Sequence, residues 1–171
     1  MNFETERLSV RMLSILDTEA FFDMMGNPNV MNPIPRPVMT RTESDAFLNK
    51  VLSSKTFNSD KQVRAIVEKK SNSFIGLCAY LKNDEDDDEI GYRLREQFWG
   101  IGYGTEIAKS LLNYGFTEKG CAKITADVYV ENIGSTKILD KFMNRVRDFY
   151  NEEDKCIDRR YEVLKEDWLV Q

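Results

Sequence analysis

Three glycines alternate with single residues in Trp99-Gly100-Ile101-Gly102-Tyr103-Gly104, and this turn constrains the fold more than any other stretch of the chain. Glycine enters left-handed backbone conformations at no steric cost, so such a run marks a tight turn in which main-chain N–H groups can converge. Beyond it, Ile107, Ala108, Leu111, Leu112 and Phe116 recur at helical spacing and predict an amphipathic helix over 103–116, closed by Gly120. Before it, Glu89-Ile90-Gly91-Tyr92-Arg93-Leu94 reads as a strand. A plain tight turn fits three glycines equally well. At a strand-to-helix junction, however, free N–H groups and the helix dipole together favour an anion.

Two well-known phosphate cradles do not fit. A dinucleotide-binding turn has the spacing Gly-x-Gly-x-x-Gly after a buried parallel strand, whereas here the spacing is Gly-x-Gly-x-Gly. The lysine and Ser/Thr of a P-loop are also missing.

The preceding strands read as an antiparallel meander over 63–68, 74–80 and 89–94, with turn residues at 70–73. The acid-rich segment 82–89 lacks the glycine and glutamate of an EF-hand loop and reads as a solvated hairpin tip. Upstream, residues 7–13 alternate like a half-buried strand, and Asp17 is placed to cap a short helix that ends at Gly26. All four prolines fall within 27–38, so no regular element is expected there before a helix over about 41–54. Downstream, a strand over 122–129, a helix over roughly 135–143, a polar hairpin and a last strand near 160–164 complete the order. The fold class expected is α/β of the α+β type. Its mixed, mostly antiparallel sheet of about six or seven strands carries helices on both faces and splays between 89–94 and 122–129, as one domain over 1–171.

Composition narrows the chemistry. The chain contains no histidine, which excludes Ser-His-Asp and Cys-His nucleophilic sites and the HExxH metal motif. Cys78, Cys121 and Cys156 are far apart and lack zinc or redox spacing, so they read as reduced thiols, and no metal is expected. A net charge of −5 is opposite in sign to the footprint of a nucleic-acid binder and suits a cationic partner. With no apolar run of membrane-spanning length and no signal-peptide pattern, a cytoplasmic protein without membrane association is expected.

Glu89-Ile90-Gly91-Tyr92-Arg93-Leu94, then Trp99-Gly100-Ile101-Gly102-Tyr103-Gly104-Thr105-Glu106, then Asn132-x-x-Ser135 together resemble the acyl-CoA core of the GNAT N-acetyltransferase superfamily. The match is to its RimJ/RimL-like branch, the group of ribosomal-protein N-acetyltransferases, in which tryptophan often opens the turn as Trp99 does. Thr5-Glu6-Arg7-Leu8 with Arg11, the Asp17 cap and Ile75-Gly76 extend the likeness upstream. It weakens after Lys141, where Lys141-Phe142-Met143-Asn144 replaces the branch's Lys-Leu-Gly-Phe.

The resemblance implies acetyl-CoA as co-substrate. The backbone around Trp99, Gly100, Ile101, Gly102, Tyr103, Gly104 and Thr105 would hold the pyrophosphate, the Leu94 main chain would pair with pantetheine, and Asn132 and Lys141 would complete the cofactor site. It also implies direct attack of an amine on the thioester, which needs a base and a proton donor for the thiolate. Glu89 is the candidate base, against a reading as one more acid of the hairpin. Many relatives use a tyrosine in Leu-Tyr-x-Lys as the acid, but the matching residues here are Ile138-Leu139-Asp140-Lys141. Ser135 is the replacement, against a reading as a helix N-cap. Glu106 reads as a structural partner, and the pairs Phe21-Phe22 and Met24-Met25 read as core or pocket lining.

The implied acceptor is a primary amine, either a protein N-terminus or a small cationic amine; a homodimer is left open. The alternative is a non-catalytic acyl-CoA-binding regulatory protein of the same fold. An unrelated nucleotide-binding enzyme is a third, weaker reading.

Overall fold

The computed structural model describes residues 1–54 and 62–170. Eight strands form one sheet: β1 (Phe3–Glu4), β2 (Leu8–Arg11), β3 (Gln62–Glu68), β4 (Ser73–Lys82), β5 (Asp88–Leu94), β6 (Lys123–Tyr129), β7 (Asn144–Asn151) and β8 (Cys156–Leu164). Their order across the sheet is β1-β2-β3-β4-β5-β6-β8-β7. Every neighbouring pair is antiparallel except β5 and β6, which are parallel and meet only at Glu89 and Thr125. Past that contact the two strands diverge, as expected, and half of β5 keeps one edge without a strand partner.

Among the described residues six α-helices cover the sheet: α1 (Thr18–Met25), α2 (Pro28–Met31), α3 (Arg41–Ser53), α4 (Tyr103–Tyr114), α5 (Ile133–Leu139) and α6 (Lys165–Leu169). One apolar cluster packs Phe21, Met24, Met31, Leu48 and Val51 against Val67, Phe74 and Leu77. On the other face Ile107, Leu111, Leu112, Phe116 and Trp168 pack against Ile66, Cys78, Tyr80, Ile90 and Leu94. Residues of β5 alternate between the two faces because successive side chains of a strand point oppositely. Ile90 and Leu94 join the α4 cluster, with Tyr92 packed against it. Glu89, Gly91 and Arg93 face the α1–α3 side.

Glycine is obligatory at two packing points. A Cβ at Gly76 would stand 2.1 Å from the Arg93 carbonyl oxygen, and one at Gly115 would stand 2.0 Å from the Tyr80 hydroxyl. The close approach at Gly115 lets the buried Tyr80 hydroxyl donate to the Leu111 carbonyl at 2.6 Å. After α4 the chain makes one π-turn, Gly115–Lys119, and stops at Gly120 with φ of 77°, a left-handed C-terminal cap.

Several expected elements differ. The sheet has eight strands rather than six or seven because β1 is only two residues long and β7 carries no apolar alternation. An outer strand exposed on both faces has no buried side to impose that pattern; β7 carries Arg145, Arg147 and Asp148 instead, as edge strands commonly do. The proline-rich segment holds a regular element after all: α2 begins at Pro28, where a missing N–H costs nothing, and Asn27 caps it by accepting from the Asn29 N–H at 2.9 Å. Asp17 holds the N-cap position of α1 as expected, but its side chain makes no capping hydrogen bond to that helix. A 3-10 turn (Ile15–Asp17) precedes that helix, Ser14 caps the turn, and Asp17 accepts from the Ser14 N–H and pairs with Arg11 at 2.7 Å. Finally, α5 ends at Leu139, four residues short of Met143.

Cys78, Cys121 and Cys156 are free and buried. No described helix is long and apolar enough to cross a membrane.

Candidate active site

The glycine turn lies where the sheet opens. Gly100 and Gly102 have φ of 74° and 89°, and Gly102 is the N-cap of α4 with no side chain to satisfy the helix. The first intrahelical bond is Glu106 N–H to the Gly102 carbonyl. The amides of residues 100–105 therefore have no protein acceptor among the described backbone bonds. A row of unpaired N–H groups at the positive end of a 12-residue helix is an anion site.

Distant chain segments hold that row in place. The Arg7 guanidinium donates to the Ile101 carbonyl at 2.9 Å, pairs with Glu106 at 2.6 Å, and lies 4.5 Å from the centre of the Tyr103 ring. Glu106 also accepts from the Arg7 N–H and from the Thr5 hydroxyl. These donors hold its carboxyl below the usual range against the opposing effect of burial. Glu106 thus ties α4 to the start of β2, the structural part expected of it. Tyr103 is buried and its hydroxyl donates to Glu68, so only its backbone faces the cradle. On the far side, the Lys141 ammonium lies 3.4 Å from the Thr105 hydroxyl. Lys141 and the Arg7 guanidinium, the latter already paired with Glu106, thus flank the positive end of the helix.

Trp99 is half exposed, and its indole donates to the Leu94 carbonyl at 2.9 Å. That carbonyl faces the split, since the Arg95 N–H is turned to β4, where it donates to Ile75. By strand alternation the Leu94 N–H and the Tyr92 carbonyl also face the split, available to an extended ligand. Asn132 is the N-cap of α5: its oxygen accepts from the Ser135 N–H at 3.2 Å. The capping residue is therefore Asn132 and not Ser135, which leaves the Ser135 hydroxyl for other work.

The Tyr92 hydroxyl is sealed from solvent without a well-aligned partner and lies beside the Ser135 side chain. Burial pushes its pKa well above that of an ordinary tyrosine, with Ser135 acting in the opposite direction. Leu139, where many relatives carry tyrosine, is a buried core residue.

Across β5, Glu89 is half-buried, and no hydrogen bond or ion pair to its carboxyl exists among the described residues. Its pKa is pushed up to about 7, first by burial and then by the negative charge of Asp127, with Asp84 and Asp158 adding and Arg160 opposing. The neighbouring acids are engaged instead: Arg160 holds Asp127 at 2.7 Å and Asp84 at 2.5 Å. A carboxyl that titrates near neutrality and has no partner suits proton transfer.

The structure thus gathers the glycine turn, Thr105 and Lys141 at one end of the split, Ser135 and Asn132 beside its α4 face, and Glu89 on the opposite face. Neither Arg7 nor Tyr92 carries a role that is legible in the sequence. Arg7 lies 94 positions from Ile101, a separation no spacing rule reaches, and Tyr92 reads as an ordinary inward strand residue.

A sheet opened between two parallel strands, with an anion cradle at the opening, defines an acyltransferase architecture. The sequence model described as an acetyltransferase (GNAT) domain matches residues 7–142, and the chain belongs to that family of N-acetyltransferases. It is 30% identical over 177 residues to the uncharacterized N-acetyltransferase YnaD of Bacillus subtilis, covering 98% of this chain and 99% of that protein. A GNAT-family acetyltransferase from Bacillus anthracis superposes with a TM-score of 0.84 at 27% identity, over 97% of this chain and 99% of that one. More distant structures share the fold. Spermidine N-acetyltransferase from Vibrio cholerae, solved with CoA and spermine, has a TM-score of 0.77 at 18% identity, over 96% of this chain and 99% of that one. Ribosomal-protein-S5-alanine acetyltransferase from Vibrio fischeri, a member of the RimJ/RimL-like group, has a TM-score of 0.76 at 16% identity, over 98% of each chain.

Proposed function

We propose that this chain is a single-domain, acetyl-CoA-dependent N-acetyltransferase that moves an acetyl group to a primary amine by direct attack. The observation that carries the reading is the row of unpaired amides at residues 100–105, flanked by Arg7 and Lys141 and opening onto the β5–β6 split. The amides would hold the pyrophosphate of acetyl-CoA. The free edge of β5 and the Asn132 side-chain amide would align its pantetheine arm, with Trp99 fixing the Leu94 carbonyl.

The acceptor amine would approach from the face that carries Glu89. Glu89, directly or through a water, takes the proton that the amine loses as the new C–N bond forms. The C–S bond then breaks, and the departing thiolate is protonated from the Ser135 hydroxyl, which recovers its proton from solvent while the Tyr92 hydroxyl beside it holds the serine in place. Base and acid thus stand on opposite faces of β5. Neighbours in this fold are named as acetylating spermidine and an alanine of ribosomal protein S5, which supports a small cationic amine or a protein N-terminus as acceptor here.

Calorimetric titration with acetyl-CoA tests the cofactor site, beside Gly102→Glu, whose side chain enters the cradle at a backbone φ of 89°. Micromolar binding that the variant loses is the expected result. A folded wild-type protein that binds no acetyl-CoA refutes the reading, and binding without thiol release across an amine panel reduces it to an acyl-CoA-binding protein.

A further inference from the structure

On the α1–α3 face of β5, Glu89, Gly91 and Arg93 share one side of the strand, and the space above Gly91 is open: a methyl placed there would meet no atom within 4 Å. The two ends of this groove differ in charge. Glu89 stands at one end among the acids grouped around Arg160. Arg93 stands at the other, and its only hydrogen-bond acceptors among the described residues are the Met25 and Met31 sulfurs, at 3.1 and 3.2 Å from Nη1.

A guanidinium held by two thioethers is short of acceptors. It has five N–H donors in a planar fork shaped for a carboxylate or phosphate, and a thioether is a weak acceptor. Asp154, the carboxylate whose charge reaches Arg93, is committed elsewhere and pairs with Arg36 at 2.9 Å. Burial lowers the Arg93 pKa to about 10, with the positive charge of Arg36 adding and Asp154 opposing. The remaining Arg93 N–H groups are not sealed from solvent. Partial burial of the cation costs solvation that two thioethers do not return, and its solvent-facing N–H groups are open to an anionic ligand.

The surrounding chain is built to hold this end of the groove. Met31 belongs to α2 of the proline-rich segment, and Glu96, just beyond β5, clamps that segment by accepting from the Asn27 and Asn29 amides at 2.8 Å each. Arg36 of the same segment reaches the β7–β8 turn.

We propose that Arg93 is an acceptor-specificity residue that binds the anionic group of the amine substrate, so that the acceptor is a small zwitterion with its amine toward Glu89 and a carboxylate toward Arg93. This rests on the acetyl-transfer reading and narrows its acceptor. Four residues of strand separate the Glu89 and Arg93 Cα atoms by roughly 13 Å. Both side chains rise from the same face of the strand, so an amine and a carboxylate several bonds apart span the groove between them, as in an ω-amino acid. A polyamine would bring its second ammonium against Arg93, where like charges repel.

The test compares kcat/KM for 4-aminobutyrate, butylamine and 1,4-diaminobutane at saturating acetyl-CoA, read as thiol release. The wild-type enzyme should prefer 4-aminobutyrate to the diamine by about tenfold or more. Arg93→Met, which keeps an unbranched chain beside Met25 and Met31, should cut the ratio of 4-aminobutyrate to butylamine by about tenfold, and Arg93→Lys should restore part of it. Calorimetric acetyl-CoA binding by each variant confirms an intact fold. A wild-type preference for the diamine, or a ratio unmoved in both variants, overturns the proposal and leaves acetyl transfer standing. Absence of acetyl-CoA binding and of turnover with every amine overturns the transfer reading itself and this inference with it.

Discussion

Replacing Glu89 by glutamine removes the proposed base while keeping the shape of the side chain, and the structure dictates how the effect varies with pH. The Glu89 carboxyl titrates near 7, raised from its ordinary value of 4.5 chiefly by burial. About one-tenth of it is ionised at pH 6 and about nine-tenths at pH 8. Loss of a positioned base costs about 10²- to 10⁴-fold in rate. The informative quantity is the ratio of wild-type to variant kcat/KM, measured with one amine at each pH, because titration of the amine cancels. That ratio should rise about tenfold per pH unit below 7 and level off above it.

Stability should move the opposite way. A carboxyl whose folded-state pKa is raised favours the folded protein while protonated; that contribution is complete below pH 4.5 and is lost as pH rises through about 7. The shift corresponds to at most roughly 3 kcal/mol, so Glu89→Gln at pH 8 should melt no lower than wild type and should bind acetyl-CoA as tightly. A rate ratio that is flat with pH, or smaller than about threefold at pH 8, refutes the assignment. A variant that melts lower at pH 8 refutes the account of the raised pKa.

Ser135→Ala should lower kcat by about tenfold or more without weakening acetyl-CoA binding, and Tyr92→Phe should cost less; because Tyr92 acts through Ser135, the double variant should lose less than the product of the single losses. Steady-state kinetics of the three proteins checks this, and strictly multiplicative losses would separate Tyr92 from Ser135. Gly115→Ala forces a methyl within 2.0 Å of the Tyr80 hydroxyl, and overpacking of this kind costs about 1–3 kcal/mol. Thermal unfolding should show a midpoint lower by several degrees, and an unchanged midpoint would mean that α4 and β4 are not packed so tightly.

The glycine turn, the meander before it and the helix after it are legible in order along the chain because each is local. Alternating glycines specify a turn, apolar residues at helical spacing specify a buried face, and the acids at 84–87 lie on a hairpin tip, whereas Asp88 and Glu89 of the same run belong to β5. The elements misread are those whose signal is not local. Outer strand β7 is exposed on both sides and so has no apolar period, and the Asp17 side chain is claimed by Arg11 and Ser14 rather than by α1.

Chain order was enough to place a base candidate, an acid candidate and an anion cradle around one strand-to-helix junction, since all lie within or near motifs of a few residues. Tertiary structure alone decided how they face one another. A single parallel contact at Glu89 and Thr125 opens the sheet and leaves the edge of β5 free. Strand alternation puts Glu89 and Arg93 on one side and Tyr92 on the other. Folding brings Arg7 and Lys141 to the two flanks of the turn. Burial and neighbouring charge, which no residue carries in its own identity, bring the Glu89 pKa to about 7.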